Sequence, residues 1–114
     1  MEKKLKESDE YKLFLNYSNK ASTPSEEDWQ SLHIMMFELF PEFHTLLISK
    51  KHLLNQKEFN ACFLVRMHFK PADLMNMLDI SSAYSNKIRK QLLQKLFDIE
   101  GKADCFDEKI GSIY

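Results

Sequence analysis

Residues 71–97 read PADLMNMLDISSAYSNKIRKQLLQKLF, and the spacing of their apolar positions decides the fold class. Pro71 suits the first position of a helix, because the N–H it lacks would find no partner there. Leu74, Met75, Met77 and Leu78 then give a helix of about eight residues that stops at Asp79-Ile80-Ser81. Ser81 or Ser82 caps a longer helix that runs to about Phe97. Its inward line is Ser85, Ile88, Leu92 and Leu96, supported by Leu93 and Phe97. Opposite them lie the hydrogen-bond donors Asn86, Lys87, Lys90 and Gln94, and no Asp or Glu occurs between Ile80 and Phe97. A short helix, a tight turn and a longer basic helix follow in the order of a helix-turn-helix.

The rest of the chain extends the same pattern in both directions. Asn55 and Glu58 have the spacing of a capping box, with Leu54 just outside it and Phe59, Cys62, Phe63, Arg66 and Met67 following at helical intervals up to a break at Lys70-Pro71. Ser25 precedes Glu26, Glu27 and Asp28, acids suited to the positive end of a helix dipole. Trp29, Leu32, His33, Met36, Phe37 and Phe40 then form a broad apolar face that Pro41 ends or kinks. Phe43, Leu46, Leu47 and Ile48 continue as a short segment. Residues 2–19 read as one helix, with Leu5, Tyr11, Phe14 and Leu15 on roughly one side, followed by the loop NKASTPS.

Composition supports an all-α domain. In 114 residues there are fifteen Leu but one Val and two Thr, and only 2 Gly and 3 Pro to build the turns of a sandwich or barrel. No apolar run approaches the roughly 20 residues of a membrane span, and the amino-terminal Met1-Glu2-Lys3-Lys4 stretch lacks the core of a signal peptide. Cys62 and Cys105 make no disulfide framework, so a reduced, cytoplasmic setting suits them. Two glycines cannot build a phosphate-binding loop. His33, His44, His52 and His68 have no zinc-site spacing, so neither a metal nor another cofactor is expected. No catalytic constellation stands out, and the expectation is a non-enzyme.

Charge is segregated along the chain. Residues 1–49 carry a net of −4, residues 50–97 a net of +6 and residues 98–114 a net of −3. A basic block between acidic flanks is the footprint of a segment that meets a polyanion. The organisation that follows is an N-terminal helix and linker (1–24), a helical support segment (25–52), the helix-turn-helix region (53–97) and an acidic tail (98–114). Because Leu5, Tyr11, Phe14 and Leu15 find no evident partner in so small a domain, the first helix is expected to pack on its twin and form a homodimer.

Residues 53–97 resemble the LuxR-type (NarL/FixJ-like) DNA-binding domain, as found in the C-terminal part of bacterial tetratricopeptide-repeat regulators. The resemblance rests on Leu54-Asn55-Gln56-Lys57-Glu58, Leu74-Met75-Asn76-Met77-Leu78, Asp79-Ile80-Ser81 and the helix ending Gln94-Lys95-Leu96. The chain departs from that pattern at Tyr84-Ser85, where the family usually has Thr-Val, and at Asp73-Leu74-Met75, where it has Glu-Ile-Ala. The resemblance implies a transcriptional regulator, or its output domain, that inserts residues 82–94 in the major groove of double-stranded DNA. Asn86, Lys87 and Lys90 match its base-facing positions, and Lys70, Ser81, Ser82, Arg89 and Lys95 match positions contacting the DNA backbone. The alternative is a helical protein-interaction module that keeps the fold without using it on DNA.

Overall fold

Four polar side chains decide where helices begin. Ser8, Ser25, Asn55 and Ser81 each sit in extended backbone and accept a hydrogen bond from the N–H three residues on, at Tyr11, Asp28, Glu58 and Tyr84. Each such cap contributes about 1 kcal/mol by satisfying an amide that the helix itself leaves unpaired. In this computed structural model, which describes residues 2–114, the helices are α1 (Glu2–Glu7), α2 (Asp9–Asn19), α3 (Glu26–Leu39), α4 (Pro41–Lys50), α5 (Gln56–Arg66), α6 (Pro71–Met77), α7 (Ser82–Phe97) and α8 (Ala103–Gly111). A 3-10 turn, Lys51–Leu53, leads into α5. No strand occurs among the described residues, so the chain is all-α as its composition implies. None of the helices is long and apolar enough to cross a membrane.

With two glycines, the chain ends helices by other means. His68, Asp79 and Asp98 take the left-handed conformation, at φ 68°, 54° and 55°, in the turns after α5, α6 and α7. Asp and His tolerate this region better than most side chains. Asp79 thereby reverses the chain between α6 and α7 within four residues, Leu78 to Ser81.

Two expectations from the sequence are corrected. Residues 2–19 form two helices, broken at Ser8, whose hydroxyl also donates to the Leu5 carbonyl at 2.7 Å. Leu5 and Phe14 would lie about two and a half turns apart on a continuous helix, on opposite faces. The break lets both enter the core, where they are 1% and 0% exposed. Tyr11 stacks on Phe69 of the same chain with ring centroids 6.0 Å apart. Of the four residues expected to wait for a twin, Leu5, Tyr11 and Phe14 thus pack within the chain, and Leu15 stays 41% exposed. The acidic segment 98–114 is likewise no simple tail: Ala103, Phe106 and Ile110 form the buried face of α8, which packs on α7 and α5.

The core is rich in aromatic rings. Phe63 of α5 is surrounded by Phe43 and Phe59 in edge-on contact and by His33 stacked at 4.3 Å. His33 Nε2 lies 2.8 Å from Asn60 Oδ1, which also accepts from Gln56 Nε2. Burial, partly offset by that hydrogen bond and reinforced by Lys51, pushes the His33 imidazole below its ordinary value of 6.5. A group held neutral in the fold takes up its proton more readily when unfolded, so stability is lost as pH falls through the window below the unfolded value. Urea unfolding between about pH 7.5 and 5 should show this loss, and His33→Gln should flatten the slope. An unchanged slope in the variant would place its origin elsewhere. Asp107, whose carboxyl burial pushes up, has the opposite sign and acts at more acidic pH.

Arg66, at the end of α5, is the largest fully buried side chain. Its guanidinium lies 2.8 Å from Glu2 Oε1, and its Nε donates to the Ile113 carbonyl at 2.6 Å. The group sits over the rings of Phe40 and Tyr114, at 4.2 and 5.1 Å from their centroids. One side chain thus gathers α1, the α3–α4 junction and the residues after α8.

Candidate nucleic-acid interface

Helix α7 rests on α8, α6, α5 and α4, and its buried positions are Ser85, Ile88, Arg89, Leu92, Leu93 and Leu96. Ser82, Ala83, Asn86, Lys87, Lys90 and Gln94 are exposed. The structure therefore brings the three residues expected to face DNA bases, Asn86, Lys87 and Lys90, onto one open side of one helix. Gln94 continues that side, its Nε2 donating to Asp98 Oδ1 at 3.2 Å. No acid occupies the first turn of α7, where the helix dipole is positive.

The residues expected at the DNA backbone divide into two groups. Ser81, Ser82 and Lys70 are exposed. Ser81 caps α7 through its Oγ, and the Lys70 backbone N–H donates to Asp73 Oδ2 at 3.0 Å, while its ammonium has no carboxylate within ion-pair distance among the described residues. Arg89 and Lys95 are placed otherwise. Arg89 is only 6% exposed and its Nη1 lies 2.6 Å from Asp107 Oδ2 on α8. Burial pushes the Asp107 carboxyl up while the facing guanidinium opposes the shift. Lys95 donates to both oxygens of Glu58, at 2.9 and 2.7 Å. Glu58 is almost fully buried and also closes the capping box by accepting from the Asn55 N–H at 2.9 Å. Arg89 is buried in its pair, and Lys95, one-third exposed, is engaged by the buried Glu58. Arg89 falls on the 85–88–89–92–93–96 stripe, a signal already present in the spacing.

One cation was missed by sequence reasoning. Lys57, in the first turn of α5, is exposed, and its Nζ donates to the Asp79 carbonyl at 3.1 Å. It therefore stands at the turn between α6 and α7. No local pattern links it to Asp79, 22 residues away.

The pairing also sharpens the charge distribution. Of the nine basic residues between 50 and 97, Arg66, Arg89 and Lys95 are neutralised by Glu2, Asp107 and Glu58. Lys50, Lys51, Lys57, Lys70, Lys87 and Lys90 have no carboxylate within 4.0 Å among the described residues. Asp73 accepts from Ser18 Oγ at 2.5 Å, which leaves Asp79 as the one acid of the block without a side-chain partner among the described residues. Comparison with protein families, curated proteins and solved structures finds no match for this chain.

Proposed function

We propose that this chain is a DNA-binding module that lays the outward side of α7 in the major groove, with α6, the Asp79 turn and α7 acting as a helix-turn-helix. The observation that carries the reading is the shared exposed side of Asn86, Lys87 and Lys90 on a helix without a single carboxylate. Asn can bond bidentately to an adenine edge, and Lys to guanine or phosphate. Lys57, Lys70, Ser81 and Ser82 supply phosphate contacts around the start of α7. Arg89 and Lys95, engaged by Asp107 and Glu58, position α7 on the domain. The reading makes the chain a transcriptional regulator or the output part of one.

Fluorescence anisotropy on random-sequence duplex DNA, from about 50 to 200 mM salt, tests it. The parent chain should bind and weaken steeply as salt rises. Lys87→Ala/Lys90→Ala should lower affinity at least about tenfold at the lowest salt. It should also reduce the log–log salt slope by about one for each phosphate that a deleted lysine had neutralised. No binding at the lowest salt, or an unchanged slope in the double variant, sinks the proposal. A second reading, a protein-interaction module, draws support from Ile34 and Ile48, apolar side chains 61% and 49% exposed on α3 and α4. For that function the two lysine substitutions should be silent.

A further inference from the structure

The starts of α3 and α5 meet across a cavity of about 270 Å³, roofed on one side by the 3-10 turn. This is close to the lower end of small-molecule pockets, about 300 Å³, and has room for a single-ring compound. Its apolar wall is Trp29 and Phe59, which are 8% and 7% exposed. His33 lines it as well, locked between Phe63 and Asn60 and unable to swing aside. The remaining lining is polar: Gln30, Gln56 and the ammonium of Lys51, which lies 5.5 Å from the Phe59 ring centroid.

Two features, Lys51 and the start of α5, give the cavity its place for negative charge. Lys51 has no carboxylate within 4.0 Å among the described residues, although Glu26 also lines the cavity. Of the two helix starts that line the cavity, that of α3 is already occupied by Glu26, Glu27 and Asp28, so the positive dipole end available to a ligand is that of α5. In α5 the Asn55 side chain satisfies only the Glu58 N–H, so the amides of Gln56 and Lys57 have no partner within the helix. The aromatic wall meanwhile favours a flat apolar body.

We propose that this cavity binds a small aromatic carboxylate, its ring against Trp29 and Phe59 and its carboxylate on Lys51. The site lies on α3 and α5, uses none of the residues assigned to DNA and stands independently of that assignment. Trp29, the chain's single tryptophan, reports on it directly through its indole N–H resonance.

The test titrates the full chain with benzoate, acetate and benzamidine, up to about 20 mM, a range that reads dissociation constants near and above 1 mM. Benzoate should shift the Trp29 indole resonance saturably. Acetate, which has the charge without the ring, and benzamidine, which has the ring with the opposite charge, should not. Lys51 is exposed, so Lys51→Ala leaves the core intact, and it should weaken benzoate binding about tenfold, the value of one charge-assisted hydrogen bond. A flat benzoate titration overturns the proposal. So does a benzamidine response equal to that of benzoate, or benzoate affinity unchanged in Lys51→Ala.

Discussion

Replacing Arg66 with alanine is expected to cost about 3–5 kcal/mol, because a fully buried guanidinium that pairs with Glu2 and donates to the Ile113 carbonyl is removed together with its packing. Such a loss is a large part of the stability of a typical domain, about 5–15 kcal/mol. Three effects act together. The Ile113 carbonyl loses the donor 2.6 Å away, Glu2 loses its cation, and a void opens beside Phe40 and Tyr114. Arg66→Met separates them, because it refills most of the volume without restoring the donor. Glu2 is 35% exposed and can regain water, so the methionine variant should recover much of the loss, with a residual cost of about 1–3 kcal/mol from the orphaned carbonyl. Urea unfolding followed by circular dichroism gives both values. An alanine variant within about 1 kcal/mol of the parent would show that the clasp is replaceable.

Phe106→Ala is the second large effect, expected at about 3–5 kcal/mol for truncating a fully buried aromatic side chain. Phe106 is 0% exposed, with its ring centroid 6.5 Å from that of Phe97 on α7. The loss should be accompanied by a weaker hold on Arg89, since Asp107 is the next residue of α8. A solvated acidic tail would tolerate the same substitution without measurable change, so unaltered unfolding would argue against α8 as part of the core.

What could be read from the sequence was local. The caps at Ser25 and Asn55, the helix start at Pro71 and the outward side of α7 follow from residues within a few positions of one another and are found as expected, and of the two serines that could cap α7 it is Ser81 that does so. The break at Ser8 was hidden because helix propensity alone favours one uninterrupted helix, while burying both Leu5 and Phe14 requires two. In α8 the apolar spacing of Ala103, Phe106 and Ile110 was present, but five acids in 17 residues outweighed it.

The candidate interface shows the same division. Asn86, Lys87 and Lys90 were legible because helical periodicity alone sets their direction. The burial of Arg89 was present in the spacing, since it falls on the inward stripe of α7, but the partners of Arg89 and Lys95, Asp107 and Glu58, are 18 and 37 residues away, and periodicity says nothing about such pairs. Lys57 was missed for the converse reason. A position in the first turn of one helix becomes part of an interface only when the fold sets it beside the turn preceding another.

The Arg66 clasp has a topological consequence as well. Glu2 and Ile113 meet on one guanidinium, so the path of the chain between them is a nearly closed ring. Residues at the two extremes of the described chain, Glu2 and Ile113, are therefore anchored to one side chain of α5, so loosening Arg66 frees α1 and the residues after α8 together.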